Sequence, residues 1–464
     1  MTQTPFDTIA AVSTPAGEGG VGIVRISGDK ALSIIQELFS PHKKGRSVTN
    51  RDSFTMSLGY IKDKEKIIDE VLVSIMRKPH TYTREDIVEI NCHGGAVAVN
   101  EVLRLVLKEG ARLADPGEFT KRAFLNGRID LAQAEAVLDI VKAKTHRSLK
   151  TAIEMLKGEL SEKINHLSST LQEILILLEA NIDFSEDEDI PHIEYNKIKN
   201  QLLKIKDELE QLISSFDTGK IYRDGLLTVI AGKPNVGKSS IMNAFLRFDR
   251  AIVTPIPGTT RDIITEQLNI DGVPFILADT AGITETDSVV EIEGVKRSKS
   301  YMNLAGLLLL VFDGSEELDE RDIDIAKGAQ SIPHLTVVNK IDLSQKLDID
   351  DLVKKTRIST PPVYLSAKNG TGLEELEMKM LEHVRSGSGG GDYSLILTNT
   401  RHYNILIKAT GELEHALKAV QQRKGAELLA FDVRSAMDIL GEITGRVSSK
   451  DILDDIFSNF CIGK

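Results

Sequence analysis

The sequence predicts a multidomain α/β protein: an α+β unit first, then an all-α region, with a doubly wound α/β unit inserted within that all-α region. Three observations carry the prediction. Short β-patterned segments dominate residues 7–114, apolar repeats at helical spacing fill 130–216 and 401–460, and apolar strands alternate with helical patterns over 226–382. The expected divisions are 1–118 for the α+β unit, 119–220 and 385–464 for the two helical parts, and 221–384 for the insert.

In the first unit the strand-like segments are 7–13, 21–27, 68–76 and 86–92, with helical stretches at 31–38 and 96–108. After the turn at Pro116 and Gly117 the pattern becomes helical. Asp130, with Gln133 three residues on, reads as a capping box opening the first long helix. The run 305–312 is apolar but far shorter than the ~18 residues of a membrane span, so it reads as a buried strand. The stretch 386–392 is rich in Gly and Ser and reads as a flexible linker. Residues 1–10 have neither the basic start nor the apolar stretch of a signal peptide, and the chain contains 2 cysteines in 464 residues. Both point to a reducing cytoplasm and away from membranes. The net charge of -12 argues against a chain that binds nucleic acid by charge alone. An RNA substrate would need a local basic patch or a basic partner.

The strongest chemical signal follows the apolar strand 226–231. Gly232 opens a loop that continues through Asn235, Val236, Gly237, Lys238, Ser239 and Ser240 into a helical stretch. Strand, glycine loop and helix form the setting in which backbone N–H groups cradle phosphates, with Lys238 on the β and γ oxygens and the Ser239 hydroxyl on Mg²⁺. Further elements follow in the order GTPases use. Thr260, in Gly258-Thr259-Thr260, offers a hydroxyl to Mg²⁺ and the γ-phosphate. Asp279, Thr280, Ala281 and Gly282 end a strand with a carboxylate near the metal and an N–H near the γ-phosphate. Asn339, Lys340 and Asp342 follow another strand, and the Asp342 carboxylate can accept two guanine N–H donors that adenine lacks. Ser366, Ala367 and Lys368 complete the base pocket. The insert is therefore expected to be a Ras-like P-loop GTPase domain.

One departure matters. Ile283 stands where many small GTPases carry a water-orienting Gln, and it has no polar group to hold a water. Glu291 is the candidate for polarising that water; a carboxylate placed to favour a helix start is its other reading. Transition-state charge could be offset by Arg261, or by a monovalent cation on Asn235 and switch carbonyls.

The pattern Gly17-x-Gly19-x-x-Gly22 lies between two strands, and it leads into a strand rather than a helix. That excludes a dinucleotide fold. Alternation over 86–92 puts Val88, Ile90 and Cys92 on one face and Glu89 and Asn91 on the other, so Cys92 is expected in the core. His93 points away from Cys92, which argues against a dyad. At the other end, Cys461-Ile462-Gly463-Lys464 has the spacing of a prenylation box but not its terminal residues.

The set GKPNVGKSS, IPGTTRD, DTAGI and NKID, with FDTIAAVSTPAGEGGVGIVRISG at the front, PGEFTKRAFLNGRIDLAQAEA in the middle and FCIGK at the end, resembles the MnmE (TrmE) family of tRNA-modification GTPases over the whole chain. The resemblance implies a homodimer that works with an MnmG-like flavoprotein in a heterotetramer, adding an aminomethyl or carboxymethylaminomethyl group to C5 of wobble uridine in tRNA. It implies K⁺ as the activating cation, held by Asn235 and the loop Thr254, Pro255, Ile256, Pro257, Gly258 and Thr259, with Thr254, Ile256 and Thr259 as ligands. It aligns Glu291 with the family's water-activating glutamate. For the first unit it implies a 5-formyl- or 5,10-methylene-tetrahydrofolate bound by Arg25, Glu89, Arg128 and Lys464; some relatives carry Lys at the position of Arg128. Cys461 would then lie beside a one-carbon donor, where a thiolate could act; the alternative is that Phe460, Cys461 and Ile462 only pack the tail. A second class of function, a regulatory or ribosome-assembly GTPase switch without folate chemistry, shares the nucleotide motifs but has no use for the front, middle and end motifs.

Overall fold

The computed structural model describes residues 7–42, 50–184, 193–247, 265–279, 304–358, 360–387, 395–447 and 449–464. It divides into two compact units, one of residues 1–138, 155–165 and 440–464, the other of 139–154 and 166–439.

The first unit is built on a seven-stranded sheet in the order β3-β4-β5-β6-β2-β1-β7. The strands are β1 (Ile9–Val12), β2 (Gly19–Ser27), β3 (Phe39–Pro41), β4 (Thr55–Asp63), β5 (Lys66–Met76), β6 (Ile87–Gly94) and β7 (Arg112–Leu113). All neighbours are antiparallel except β1 and β7. Period-two alternation decides which side each residue serves. Ala10, Val24, Ile26, Val88, Ile90 and Cys92 are buried in a core with helices α1 (Ala31–Leu38) and α2 (Ala96–Lys108). Ile9 and Ala11, on the opposite face, pack with Phe119 of α3 (Glu118–Leu125). The expected core thiol is confirmed: Cys92 is buried, its Sγ donates to the Gly22 carbonyl (3.2 Å), and burial first, then the charge of Asp69, pushes its pKa up to about 11. Of the glycine pattern at 17–22, Gly17 lies in the turn after β1 while Gly19 and Gly22 already belong to β2, so no helix follows it.

Asp130 and Gln133 form the expected capping box: Gln133 N–H donates to Asp130 Oδ1 (2.9 Å) and Asp130 N–H to Gln133 Oε1 (3.0 Å). It opens α4 (Leu131–Lys142), followed by α5 (His146–Lys157), α6 (Glu159–Asp183), α7 (Tyr195–Ser214) and α8 (Phe216–Asp224).

In the second unit the inserted sheet has the order β13-β12-β11-β8-β10-β9. It comprises β8 (Leu226–Ala231), β9 (Thr265–Ile270), β10 (Val273–Asp279), β11 (Leu307–Asp313), β12 (His334–Asn339) and β13 (Val363–Tyr364). Five strands run parallel; β9 pairs antiparallel at the edge. The apolar run at 305–312 is the central strand β11, buried throughout, and each fully buried Leu there contributes ~2 kcal/mol. Helices α9 (Lys238–Arg247) and α12 (Leu373–Gly387) cover one face; α10 (Glu320–Gly328) and α11 (Ile349–Thr356) cover the other. The expected linker starts later than the composition suggests. Ser386 and Gly387 still belong to α12, where Ser386 Oγ caps the His383 carbonyl (3.0 Å), and 388–394 lie outside the described residues. Helices α13 (Thr400–Gln421), α14 (Ala426–Thr444) and α15 (Lys450–Ser458) complete the chain. The insert leaves and rejoins the helical region at one place, since Leu397 N–H donates to Ser215 Oγ (3.0 Å) just before α8. Among the described residues no helix is long and apolar enough to cross a membrane.

Candidate functional site

The glycine loop after β8 turns on two left-handed residues, Asn235 (φ 64°) and Gly237 (φ 98°). A Cβ on Gly237 would collide with Asn339 Nδ2, so the position needs glycine for space as well as for backbone angle. Asn339 is the clasp of the site. Its Nδ2 donates to the Val236 carbonyl (2.8 Å) and its Oδ1 accepts from Ala367 N–H (3.0 Å), tying the phosphate loop to the base loop. Lys238, buried at the start of α9, donates to the carbonyls of Gly232 and Lys233 (both 3.0 Å). Burial holds its pKa below the ordinary lysine value, with Asp279 opposing. Ser239 Oγ donates to Asp279 Oδ2 (2.7 Å). A hydroxyl and a carboxylate at the mouth of a phosphate loop are hard oxygen donors that suit Mg²⁺.

At the base end, Ser366 Oγ donates to Asp342 Oδ1 (2.6 Å), and that bond is the leading reason the Asp342 carboxyl sits below its ordinary pKa. Asp342 is therefore an oriented, ionised acceptor. Lys340 donates to buried Asp313 Oδ2 (2.5 Å) at the end of β11, and Lys368 adds positive charge near Asp342. Thr254, Pro255, Ile256, Pro257, Gly258, Thr259, Thr260, Arg261, Thr280, Ala281, Gly282, Ile283 and Glu291 lie outside the described residues.

A second constellation lies in the first unit, on the sheet face opposite α1 and α2. Register places Ala11, Arg25, Glu89 and Ser74 in one row across β1, β2, β6 and β5. Arg25 Nε donates to Glu89 Oε1 (2.9 Å), and its NH2 lies 2.8 Å from the same oxygen. Arg25 NH1 then donates to the Gly463 carbonyl (3.2 Å), as does Ser13 Oγ (3.3 Å), so the chain's last residues dock on its first hairpin. Gly463 (φ 93°) is buried so tightly that a Cβ would overlap the Val12 carbonyl oxygen. The Cys461 carbonyl accepts from the N–H groups of Gly117 (3.4 Å) and Lys464 (3.3 Å). Phe460 packs into a cluster with Leu131, Ala134 and Phe457, whereas Cys461 and Ile462 are exposed. The packing alternative for the tail thus holds for Phe460 and is corrected for Cys461 and Ile462. Arg128 lies over the Tyr82 ring (4.7 Å) and Arg25 over Phe119 (5.6 Å), and both rings belong to the same small apolar cluster. Arg25, Glu89 and the tail are brought together; Arg128 joins them through that cluster. Cations, a carboxylate with one oxygen uncommitted to Arg25, and aromatic edges are groups that fit a pterin carrying a glutamate tail.

Two ionic networks join residues from separate parts of the chain, so sequence spacing does not reveal them as networks, although Glu118 and Arg122 are an i,i+4 pair. Arg122 binds Asp7 (2.6 Å), Glu118 (3.0 Å) and Glu85 (3.1 Å), while Arg112 binds Asp7 (2.8 Å) and Glu118 (2.6 Å). In the phosphate loop, buried Lys233 meets Glu316 (3.0 Å), Asp322 (3.1 Å) and Asp319 (3.2 Å). Burial disfavours the Lys233 ammonium, but bonds to the three carboxylates outweigh it and raise its pKa, while burial pushes the Asp322 carboxyl up. The 3.1 Å bond between them supports the ionised pair.

A glycine loop between a parallel strand and a helix, an Asp at the metal position and an Asn–Asp base pocket define a P-loop GTPase. Family models agree on the rest: residues 8–128 match the GTP-binding protein TrmE N-terminus and 131–461 the MnmE helical domain. The chain is 47% identical over 463 residues to the tRNA modification GTPase MnmE of Alkaliphilus oremlandii, and 48% identical over 460 residues to that of Alkaliphilus metalliredigens. Each alignment covers 99% of both chains. This chain belongs to the MnmE family, GTP-hydrolysing enzymes of tRNA modification. A solved structure of Aquifex aeolicus Era bound to GDP·AlF4⁻ is 27% identical over 40% of this chain and 66% of its own, with a TM-score of 0.29, too low to carry weight.

Proposed function

We propose that this GTPase acts with an MnmG-like flavoprotein, as a homodimer within a heterotetramer in the cytoplasm, to place an aminomethyl or carboxymethylaminomethyl group on C5 of wobble uridine. The observation that supports this most is the docking of 461–464 on the Arg25–Glu89 pair, because a GTPase that only switches has no need of such a site. Glu89 offers a carboxylate to adjacent pterin N–H donors, while Arg25, Arg128 and Lys464 offer cations to the glutamate tail. A tetrahydrofolate derivative bound there supplies the one-carbon unit. Cys461, exposed at the same tail, is the candidate thiol for the transfer.

In the nucleotide site Lys238 exchanges its two carbonyl acceptors for β and γ oxygens, and Ser239 and Thr260 present hydroxyls to Mg²⁺. Mg²⁺, when bound, offsets the charge that develops on the phosphates. Asn235 with Thr254, Ile256 and Thr259 would hold K⁺ as the activating cation, and Glu291 would orient the attacking water. The domain boundaries 1–118, 119–220, 221–384 and 385–464 belong to the same proposal.

Titration of the purified chain with 5-formyl-tetrahydrofolate tests the reading. The parent is expected to bind and Glu89→Gln to lose at least ~10-fold in affinity, the scale of one charged hydrogen bond. Equal binding by both would refute the folate assignment.

A further inference from the structure

Apart from the nucleotide site, the second unit contains a cavity of about 220 Å³ at the base of the inserted domain. Its walls come from the turn between α4 and α5, the end of α8, and Thr398 where the chain returns from the insert. Lys144 is half-buried on this wall, and no carboxylate lies within 4.0 Å of its ammonium among the described residues. Burial lowers its pKa, with Asp224 only partly opposing. Arg223 gives Nε to Asp139 (2.8 Å), and its two terminal nitrogens make no hydrogen bond among the described residues. Thr151 and Thr398, both 6% exposed, have hydroxyls without a hydrogen-bond partner among those residues. Ser148, by contrast, is committed to capping Thr145 (3.0 Å). With Lys142 and Asp224 at the exposed rim, the lining carries three cations against two carboxylates, one of which Arg223 already neutralises.

Half-buried Lys144 and the Thr151 and Thr398 hydroxyls lack a protein partner among the described residues and Arg223 has terminal N–H groups to spare, so a tetrahedral oxyanion would satisfy all four groups at once. We propose that this cavity binds a small phosphate-class oxyanion, free phosphate or a phosphomonoester, which links Lys144 and Thr151 to Arg223 and Thr398. Those last two residues stand where the chain enters and leaves the nucleotide domain, and α8 runs directly into β8 and the phosphate loop. An anion here therefore stiffens the base on which the nucleotide domain stands, without touching the phosphate loop.

The test uses the full chain saturated with Mg·GDP, so that added phosphate cannot occupy the nucleotide site. Lysine acylation is followed by mass spectrometry at Lys144 and at exposed Lys150, with inorganic phosphate or glycerol 3-phosphate against chloride at matched ionic strength. Lys144 is expected to be protected at least ~5-fold while Lys150 is unchanged; calorimetric binding should vanish in Lys144→Met and persist in Lys144→Arg. Protection by both anions identifies free phosphate as sufficient, and protection by glycerol 3-phosphate alone identifies a phosphomonoester. If Lys144→Met does not fold, Thr398→Val must weaken binding instead. Protection of Lys144 no greater than that of Lys150 overturns the proposal, as does unchanged binding by Lys144→Met or, where that variant does not fold, by Thr398→Val.

Discussion

Replacing Gly463 by Ala should undock the tail while leaving the nucleotide site intact. At φ 93° an L-residue costs ~1–2 kcal/mol, and the added Cβ would overlap the Val12 carbonyl oxygen and stand 3.0 Å from Ser13 Cα. Both obstacles are backbone atoms of β1 and its turn, so neither can swing aside as a side chain would. Overpacking of that kind adds ~1 kcal/mol or more. The docked state should therefore lose at least ~2 kcal/mol, about 30-fold in population. Hydrogen exchange reads this directly through the amides of Gly117 and Lys464, which share the Cys461 carbonyl. Exchange in those segments should rise by about that factor, and 5-formyl-tetrahydrofolate affinity should fall with it. GTP affinity should not move, because none of the phosphate-loop bonds involves the tail. Unchanged exchange with unchanged folate affinity would refute the claim that the docked tail builds the site.

Three other outcomes follow from the same bonds. Asp342→Asn should weaken GTP affinity about 100-fold and improve xanthosine triphosphate binding, since the Asn amide can donate where guanine's amine is replaced by a carbonyl; equilibrium titration with both nucleotides checks it. Lys233→Met leaves buried Asp322 without its cation, with the Asp319 N–H (3.3 Å) as the remaining donor to its side chain among the described residues, and should destabilise the nucleotide domain by roughly 3 kcal/mol and speed GDP release, with Lys233→Arg recovering part; thermal melts and stopped-flow release measure the two effects. Burial disfavours the charged forms of Asp7 and Glu118, but their Arg112 and Arg122 bonds outweigh it and hold both carboxyls below 3.8 and 4.5. Depressed folded values mean this stabilisation is complete above the unfolded ones and is lost as pH falls from those through the lower folded ones. Arg122→Met should therefore unfold more easily in denaturant at pH 7, with the gap to the parent narrowing progressively as pH falls below 4.5 and 3.8.

The described part of the nucleotide site was legible in the sequence because its residues follow local geometry. A strand, a glycine loop and a helix start lie within about twenty residues, and Asn339 to Asp342 and Ser366 to Lys368 each lie at or just past the end of a strand. The parallel sheet and the insertion were legible for a similar reason: β11 is buried on both faces and reads as an unbroken apolar run, and two helical stretches flank it. The antiparallel edge strand β9 was not, since its pairing depends on a hairpin with β10 rather than on its own pattern. What no local pattern could reveal is pairing across hundreds of residues. Alternation put Glu89 on the outer face, but only the register of β2 against β6 sets Arg25 opposite it, and only the tail's path brings Gly463 to both. Asn339 as a clasp and Lys233 as an anchor are equally non-local: each is a motif residue whose partners come from other loops.

The most direct measurement is mass spectrometry of tRNA nucleosides from cells lacking this chain, complemented with the parent or with Cys461→Ser. C5-substituted wobble uridines should disappear on deletion, return with the parent and fail to return with the serine variant. Wobble uridines that keep their C5 substituents after deletion would contradict the tRNA assignment, and full rescue by Cys461→Ser would remove the thiol from the chemistry.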